Sequence, residues 1–311
     1  MPPRHTEQEQ ADFARALVSI AEQGPLSQPE IDTLSVLDGA DLDRFREAWA
    51  PLPAGARARL IVALRGAAEQ RLRLDFSAVN RLALEDADPQ VRQAGVQSAI
   101  EDRSPALLKK LLELVRSDPS IEVRFAAAED LARFTLLGEL DDLEPEMTAE
   151  LKSRLLSIVR DQNQAARVRG SALAALGYFS DVESARELAS GFSDPVLRLG
   201  AVRAMGRTAD PRWTDRLMPV LGSDDPQLRV EAAHELGEIE DERAVTPLVE
   251  LLEDPEPDVQ LAVIQALGQI GGEDAREALL FLAEASEDQL REAADKALEE
   301  IEAAEADPMD L

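Results

Sequence analysis

A pattern of small and apolar residues recurs along most of the chain and predicts amphipathic helices. In its fullest form, an Asp-Pro pair is followed by an apolar residue and then by an Arg, which we take as the anchor position. Successive anchors are separated by 32, 45, 29, 31, 31 and 31 residues, which predicts a repeating unit of about 31 residues. The anchors are Arg92, Arg124, Arg169, Arg198, Arg229, Gln260 and Arg291.

Small or apolar residues lie three, four, seven and often ten positions after the anchor. These positions fall within about 120° of one another on a helix of 3.6 residues per turn, so they form one apolar face. The expected core positions of the fifth and sixth copies are Ala232, Ala233, Leu236, Ile239, Val263, Ile264, Leu267 and Ile270. We call the helix with this face the anchor helix. A second amphipathic segment, the paired helix, is predicted at Pro105 to Arg116, Leu151 to Arg160 and Ala244 to Glu253.

The Asp-Pro pairs predict where the anchor helices begin. Asp supplies a side-chain acceptor at the N-cap, and Pro has a fixed φ that suits the first helical position. Four pairs are expected to begin helices, at 88–89, 118–119, 194–195 and 225–226. Each anchor Arg is also expected to bond to an acidic residue four or six positions before it, so that a ladder forms between adjacent turns. The expected acids are Asp86 or Asp88 for Arg92, Asp118 for Arg124, and Asp194 for Arg198.

The run Asp-Pro-x-Val-Arg, followed by spaced Ala and by Ala-Leu-Gly, resembles the HEAT-repeat family in its bacterial and archaeal, phycobilisome-lyase-like form. The resemblance covers roughly residues 80 to 303. It implies an all-α fold, a right-handed α-α superhelix (HEAT-type solenoid), in which the anchor helices line the concave side. Helix pairs of this size cannot bury their faces alone and must stack on their neighbours. We expect about seven recognisable repeats and a degenerate N-terminal helical cap.

Departures from the period predict the domain organisation. Residues 1–78 are expected to form the cap, with a degenerate repeat anchored near Arg57 and with Phe45 and Trp49 in its core. Ser27 and Glu30 have the spacing of a capping box. Residues 79–303 form the solenoid, and the 45-residue step predicts an insertion near 136–148, interpreted as a longer helix end and an acidic loop. This insertion could kink the array or contact a ligand, and we favour the structural role. Residues 304–311 form an acidic C-terminal tail.

Composition and charge narrow the function. Aromatic residues make up 4% of the chain and hydrophobic residues 45%, so the core must consist of Leu, Ala, Val and Ile. The net charge of −29 disfavours binding to nucleic acids and anionic membranes. A DNA-glycosylase-like solenoid would need a continuous basic groove, and this class is disfavoured because the central cluster of Arg residues is short and its flanks are acidic. The chain has no cysteine, no apolar stretch of membrane-spanning length and no signal-peptide pattern, which predicts a cytoplasmic protein.

Few residues could carry catalytic or metal chemistry. The two histidines are His5 and His234, and neither has a second His at metal-ligand spacing. Deoxyhypusine hydroxylase, a HEAT-repeat enzyme, binds two irons through several His-Glu pairs, whereas this chain has the single pair His234-Glu235. We therefore predict a non-enzymatic protein with no metal and no cofactor. The resemblance keeps two alternatives open: an accessory lyase or chaperone-like subunit that handles a tetrapyrrole and, less favoured, a metal-dependent oxidoreductase related to that hydroxylase.

The anchor helices also predict a binding surface. If they line the concave side, positions one, five and nine after each anchor face the groove. Aromatic and Arg residues of this kind are typical of binding hot spots. We predict a partner that is another protein or peptide with acidic and apolar groups. The alternative is that these side chains only cover neighbouring repeats and pair with local acids. The candidate residues are Phe125, Arg133, Tyr178, Leu199, Arg203, Arg207 and His234.

Overall fold

The computed structural model describes residues 6–71, 73–285 and 288–306, and these residues form eighteen α-helices, four short 3-10 helices and no strand. By its internal contacts the chain divides into two compact units, Met1–Phe134 and Thr135–Leu311, which are described separately below. His5 and residues 307–311 of the acidic tail lie outside the described residues. No helix in the described ranges has the length and hydropathy to cross a membrane.

The first unit begins with the residues that the sequence predicts as a helical cap. Its seven complete helices are α1 Glu7–Ala21, α2 Gln28–Thr33, α3 Gly39–Trp49, α4 Ala54–Gln70, α5 Ser77–Leu84, α6 Pro89–Ser98 and α7 Pro105–Ser117. Phe45 and Trp49 are both buried, with ring centroids 5.8 Å apart, so their predicted place in the core is confirmed. The capping box before α2 is confirmed as well, because the Ser27 amide donates to Glu30 Oε2 at 2.6 Å.

Helix α1 was not predicted by the repeat pattern. Its local signal is a capping box, in which the Thr6 amide donates to Glu9 Oε2 at 2.6 Å and the Glu9 amide donates to Thr6 Oγ1 at 3.3 Å. Phe13, Ala16 and Ile20 follow at helical spacing and are buried. The first helix therefore adds an apolar face to the core of the cap.

The second unit is a series of stacked helix pairs. The division between the units falls within α8 Ile121–Glu139, and the later helices are α9 Pro145–Arg160, α10 Ala166–Leu176, α11 Val182–Ser193, α12 Arg198–Arg207, α13 Thr214–Leu217, α14 Pro226–Ile239, α15 Val245–Glu250, α16 Pro257–Ile270, α17 Glu273–Ala285 and α18 Asp288–Ala306. Each anchor helix from α10 to α16 packs against the next anchor helix, and its paired helix lies beside it. Helices α13 and α15 are short and are continued by 3-10 turns.

The predicted apolar face is confirmed in the fifth copy. Ala232, Ala233 and Leu236 are fully buried, and Ile239 is nearly so. In the sixth copy Val263, Ile264 and Leu267 are also buried, whereas Ile270 is only partly buried at the end of its helix. The recurring apolar positions therefore form the seam along which the repeats stack.

Two of the four predicted helix starts are confirmed and two are wrong. Asp88 and Asp225 are N-caps, and each carboxylate accepts from the amide two residues later. By contrast, α8 begins at Ile121, because the carboxylate of Asp118 binds the Ser120 amide and the side chain of Arg92. Pro195 lies in a turn rather than a helix, since Asp194 accepts from the Val196 amide and α12 begins only at Arg198.

The Arg ladder exists, but its side-chain partners differ from the prediction. Arg92 donates to both oxygens of Asp118, at 2.7 and 2.8 Å, and Arg229 donates to both oxygens of Asp254, at 2.8 Å each. Arg57 also forms an ion pair with Asp86, and its Nη2 atom donates to Asp86 Oδ1 at 2.9 Å. The acid therefore belongs to the following repeat. The turn before each of these anchor helices supplies backbone carbonyl oxygens, such as that of Asp86 for Arg92 and that of Ser223 for Arg229. The acid comes from the next repeat because stacking brings the turn of that repeat against the guanidinium.

Neighbouring anchor helices approach closely through glycine. Gly200 of α12 lies against the backbone of Gly170 in α10, and Gly177 lies against the backbone of Ala204. A Cβ atom at either Gly177 or Gly200 would overlap the facing backbone. The anchor helices of the second unit are thus held at a separation that only the smallest side chain permits.

A Gly200→Ala variant is expected to lower the free energy of unfolding by about 1 to 3 kcal/mol, because the added methyl group must push α10 and α12 apart. Gly170→Ala is the matched control, since a Cβ there would point into open space although the residue faces Gly200. That variant should gain up to about 1 kcal/mol from the higher helix propensity of Ala. Urea denaturation followed by circular dichroism measures both values, and equal effects would contradict the close contact.

Candidate functional site

The seven predicted site residues lie in both units. Phe125 and Arg133 are half-buried on α8 in the first unit. The other five belong to the second unit and lie on or directly after its anchor helices. None of the seven is buried, so all are accessible from solvent to some extent. We call the second-unit set the anchor-face patch; it consists of Tyr178, Leu199, Arg203, Arg207 and His234.

Arg133 is held by contacts within its own unit. Its guanidinium donates to both oxygens of Asp130, at 2.8 and 2.9 Å, and to the carbonyl oxygens of Asp102 and Ala99, at 2.7 and 3.0 Å. Burial raises the pKa of Asp130, and the hydrogen bonds from Arg133 oppose that rise. Arg133 therefore joins α8 to the loop after α6. This agrees with the alternative that the side chain pairs with local groups and does not bind a partner.

Arg207 and Tyr178 form a cation-π contact within the anchor-face patch. The guanidinium carbon of Arg207 lies 5.5 Å from the centroid of the Tyr178 ring, and both residues are half-buried. They come from equivalent positions of successive repeats, nine residues after the anchors Arg169 and Arg198. Among the described residues Arg207 forms no ion pair within 4 Å. Its charge is therefore available to a carboxylate from outside the chain.

Arg203 is partly neutralised by its neighbour in the next repeat. Its Nη2 atom forms a short ion pair with Glu231 Oε1 on α14. Leu199 lies one turn before it on α12 and is half-buried. The patch thus combines one paired cation, one cation stacked on an aromatic ring and an apolar side chain.

Glu235 lies buried below the patch, and the sequence did not predict this. The residue is 5% exposed, and its carboxylate fills the space that a side chain at Gly206 would occupy. Desolvation by burial raises the pKa of Glu235 to about 8, and the charge of Arg207 lowers it in part. The only signal in the sequence is that Gly206 in one repeat is followed by Glu235 in the next. Spacing alone does not show that Glu235 is buried, because burial depends on how closely the two helices pack.

The His234-Glu235 pair lacks the neighbours of a metal centre. The imidazole is 46% exposed, and its Nδ1 atom lies 3.9 Å from Glu235 Oε1. Within the described ranges, no group of three or more His, Cys, Asp or Glu side chains is placed to hold a metal ion. Only the imidazole of His234 is therefore accessible at the anchor-face patch, because Glu235 is buried beneath it.

Comparison with known proteins agrees with this architecture. A family model described as HEAT repeats matches residues 78–157 and 214–299, which together are more than half of the chain. No curated protein matches the chain.

Several solved structures match the chain at low sequence identity. YibA of Escherichia coli is 15% identical, with a TM-score of 0.45, over 97% of this chain and 99% of its own. The complex of CpcE and CpcF of phycocyanin lyase from Nostoc sp. gives 13% identity and a TM-score of 0.49, over 72% of this chain and 94% of that one. Human deoxyhypusine hydroxylase gives 21% identity and a TM-score of 0.32, over 95% and 97%.

Proposed function

Because the chain belongs to the HEAT-repeat family, we propose that it is a non-catalytic scaffold that binds another protein through the anchor-face patch. The observation that supports this proposal is the Arg207–Tyr178 pair, in which a guanidinium without an ion-pair partner among the described residues stacks on an accessible ring. The scaffold acts without a cofactor and, lacking cysteine, suits the cytoplasm.

The chemistry of the patch selects an acidic and apolar partner segment. A planar guanidinium can bind both oxygens of a carboxylate, and stacking on Tyr178 fixes its orientation before the partner arrives. Leu199 offers apolar area next to the charge. Tyr and Arg dominate the binding energy of many interfaces because they combine large contact area with directed hydrogen bonds. In a chain of net charge −29, these cations attract a negatively charged partner that the rest of the surface repels.

Charge reversal at the patch tests this function. Partners are first captured from the native cell with the wild-type chain and identified by mass spectrometry. Each partner is then titrated against wild type and against the Arg203→Glu, Arg207→Glu double variant. We expect the double variant to weaken binding by about a hundredfold or more, because two hot-spot cations become repulsive.

A matched variant separates the patch from the overall charge. Arg154→Glu, Arg186→Glu changes the net charge equally, and both residues are exposed on the paired helices α9 and α11. Binding should be nearly unchanged in this control. Equal loss in both double variants would show that only the net charge matters, and unchanged affinity in the patch variant would eliminate the patch as the binding site.

A further inference from the structure

The first unit contains a cavity that the anchor-face patch does not involve. Its volume is about 610 Å³, which lies within the range of small-ligand sites. The wall is formed by the end of α4, the residues that lead into α5, one turn of α5 and the loop after α6. Apolar side chains, including Phe76 and Ile100, cover part of this wall. The cavity is therefore amphipathic and large enough for a few amino-acid residues.

Two neutral polar atoms in this wall are buried without a hydrogen-bond partner. Asn80 is 7% exposed; its Nδ2 atom donates to the Ser98 carbonyl oxygen at 2.9 Å, whereas its Oδ1 atom has no donor. Ser98 Oγ is also buried and unpaired. An unsatisfied buried polar group is costly, and in native proteins such groups often mark a place where a ligand or water binds. The Oδ1 atom of Asn80 can accept a hydrogen bond from a ligand, and the Ser98 hydroxyl can donate one to a ligand acceptor.

Two cations at the cavity are also without a partner. Arg73 and Arg103 are exposed, and neither forms an ion pair with any of the described residues. The wall also holds four acids, of which Glu69 pairs with Arg65, while Asp75 and Asp102 accept from the Ser77 and Ser104 amides, each at 2.8 Å. These backbone hydrogen bonds orient the two carboxylates but leave their charge in place. The cavity thus offers two free guanidinium groups in a chain with a large excess of acids.

We propose that this cavity is a second binding site, which takes a short peptide segment that carries a carboxylate. A peptide group supplies one N–H and one C=O, which complement the acceptor of Asn80 and the hydroxyl of Ser98. The carboxylate pairs with Arg73 and Arg103, and an apolar side chain of the segment contacts Phe76. The site is independent of the anchor-face patch.

Fluorescence anisotropy with labelled tetrapeptides tests the site on the full chain. The probes are Gly-Leu-Asp-Glu and Gly-Leu-Asn-Gln, both with an amidated C-terminus, and Gly-Leu-Ala-Ala with a free C-terminal carboxylate. We expect saturable binding of a carboxylate-bearing probe, at least about tenfold tighter than that of the amide probe. Whether the first or the third probe binds better distinguishes a side-chain carboxylate from a terminal one.

Variants locate the binding. Arg73→Glu, Arg103→Glu should weaken it by about tenfold or more, and both residues are exposed, so folding should be preserved. Arg81→Glu, Arg116→Glu changes the net charge equally at exposed residues outside the cavity and should have little effect. The Arg203→Glu, Arg207→Glu variant should also bind the probes normally, which keeps this test separate from that of the proposed function.

Ser98→Ala distinguishes a ligand contact from a structural role. Removing an unpaired buried hydroxyl should leave the denaturation midpoint unchanged or raise it, while the affinity for the carboxylate probe falls. The proposal is overturned if neither carboxylate probe binds saturably, if the amide probe binds equally well, or if the cavity and control variants lose affinity to the same degree.

Discussion

Replacing Arg92 with Met is expected to lower the free energy of unfolding by about 3 to 5 kcal/mol, because the change leaves the carboxylate of Asp118 buried without its partner. Arg92 also donates to the carbonyl oxygens of Asp86 and Ala87, at 2.8 and 2.9 Å, and these acceptors would lose their donor. The hydrogen bonds to Asp118 raise the pKa of Arg92 further above its ordinary value, so the pair stays ionised in the folded protein. Urea denaturation at neutral pH measures the loss.

Two further variants identify the source of that loss. In Arg92→Met, Asp118→Leu both charges are absent, so much of the lost stability should return. Arg116→Met removes an exposed cation on α7 and should change the stability by less than about 0.5 kcal/mol. A cost below about 1 kcal/mol for Arg92→Met would mean that the ladder contributes little to the stacking of the repeats.

A Glu235→Gln variant is expected to be more stable than wild type at high pH, by as much as about 5 kcal/mol above pH 8, and nearly equal to it at pH 5. The folded protein holds a proton on Glu235 up to a pKa of about 8, whereas the unfolded chain releases it near the ordinary value of 4.5. Between these values the folded state binds more protons, so wild-type stability falls as pH rises through the window. Glutamine resembles the protonated acid and removes this dependence.

The charges around Glu235 set the size of the effect. Arg207 and Arg203 lower its pKa, while Glu231 and Glu238 raise it, and burial exceeds both influences. Denaturation curves recorded from pH 5 to pH 9 should therefore diverge between wild type and Glu235→Gln. Glu242→Gln is the control, because Glu242 is exposed and is not one of the charges that shift the pKa of Glu235, so its curve should be nearly parallel to that of wild type. Parallel curves for Glu235→Gln would contradict a protonated carboxyl in the folded protein.

The helical repeat could be predicted from the sequence because local spacing determines it. Positions three, four and seven after the anchor must share a helix face whatever surrounds them, and Ala232, Ala233 and Leu236 are buried as expected. The core of the cap was predictable for the same reason, since Phe45 and Trp49 are four residues apart on one helix.

The partners in the ladder could not be read from local spacing. Asp118 lies six residues before Arg124, and the sequence suggested that these two side chains pair. In the structure Arg124 Nη1 donates to the Asp118 carbonyl oxygen at 2.6 Å, while the Asp118 side chain binds Arg92 of the preceding repeat. The predicted side-chain partners of Arg92 and Arg124 were therefore wrong, because the pairing depends on how one repeat stacks on another.

The candidate sites depend even more on packing. The sequence placed Arg203 and Arg207 on one surface of a helix, which their spacing of four guarantees. It did not indicate that Glu231 pairs with Arg203, or that Glu235 lies against Gly206, because both contacts join different repeats. The cavity near Asn80 was also missed, since it is formed by segments that are separated in sequence.

The direction of the ladder makes the two ends of a shortened array chemically unlike. Arg229 reaches forward to Asp254, so a truncation that removes residues beyond 240 would keep the guanidinium and discard its counterion. A truncation that removes residues before 245 would instead strand the carboxylate. Deletions from opposite termini therefore expose opposite charges. The reason is that each ion pair takes its Arg from one repeat and its Asp from the repeat that follows.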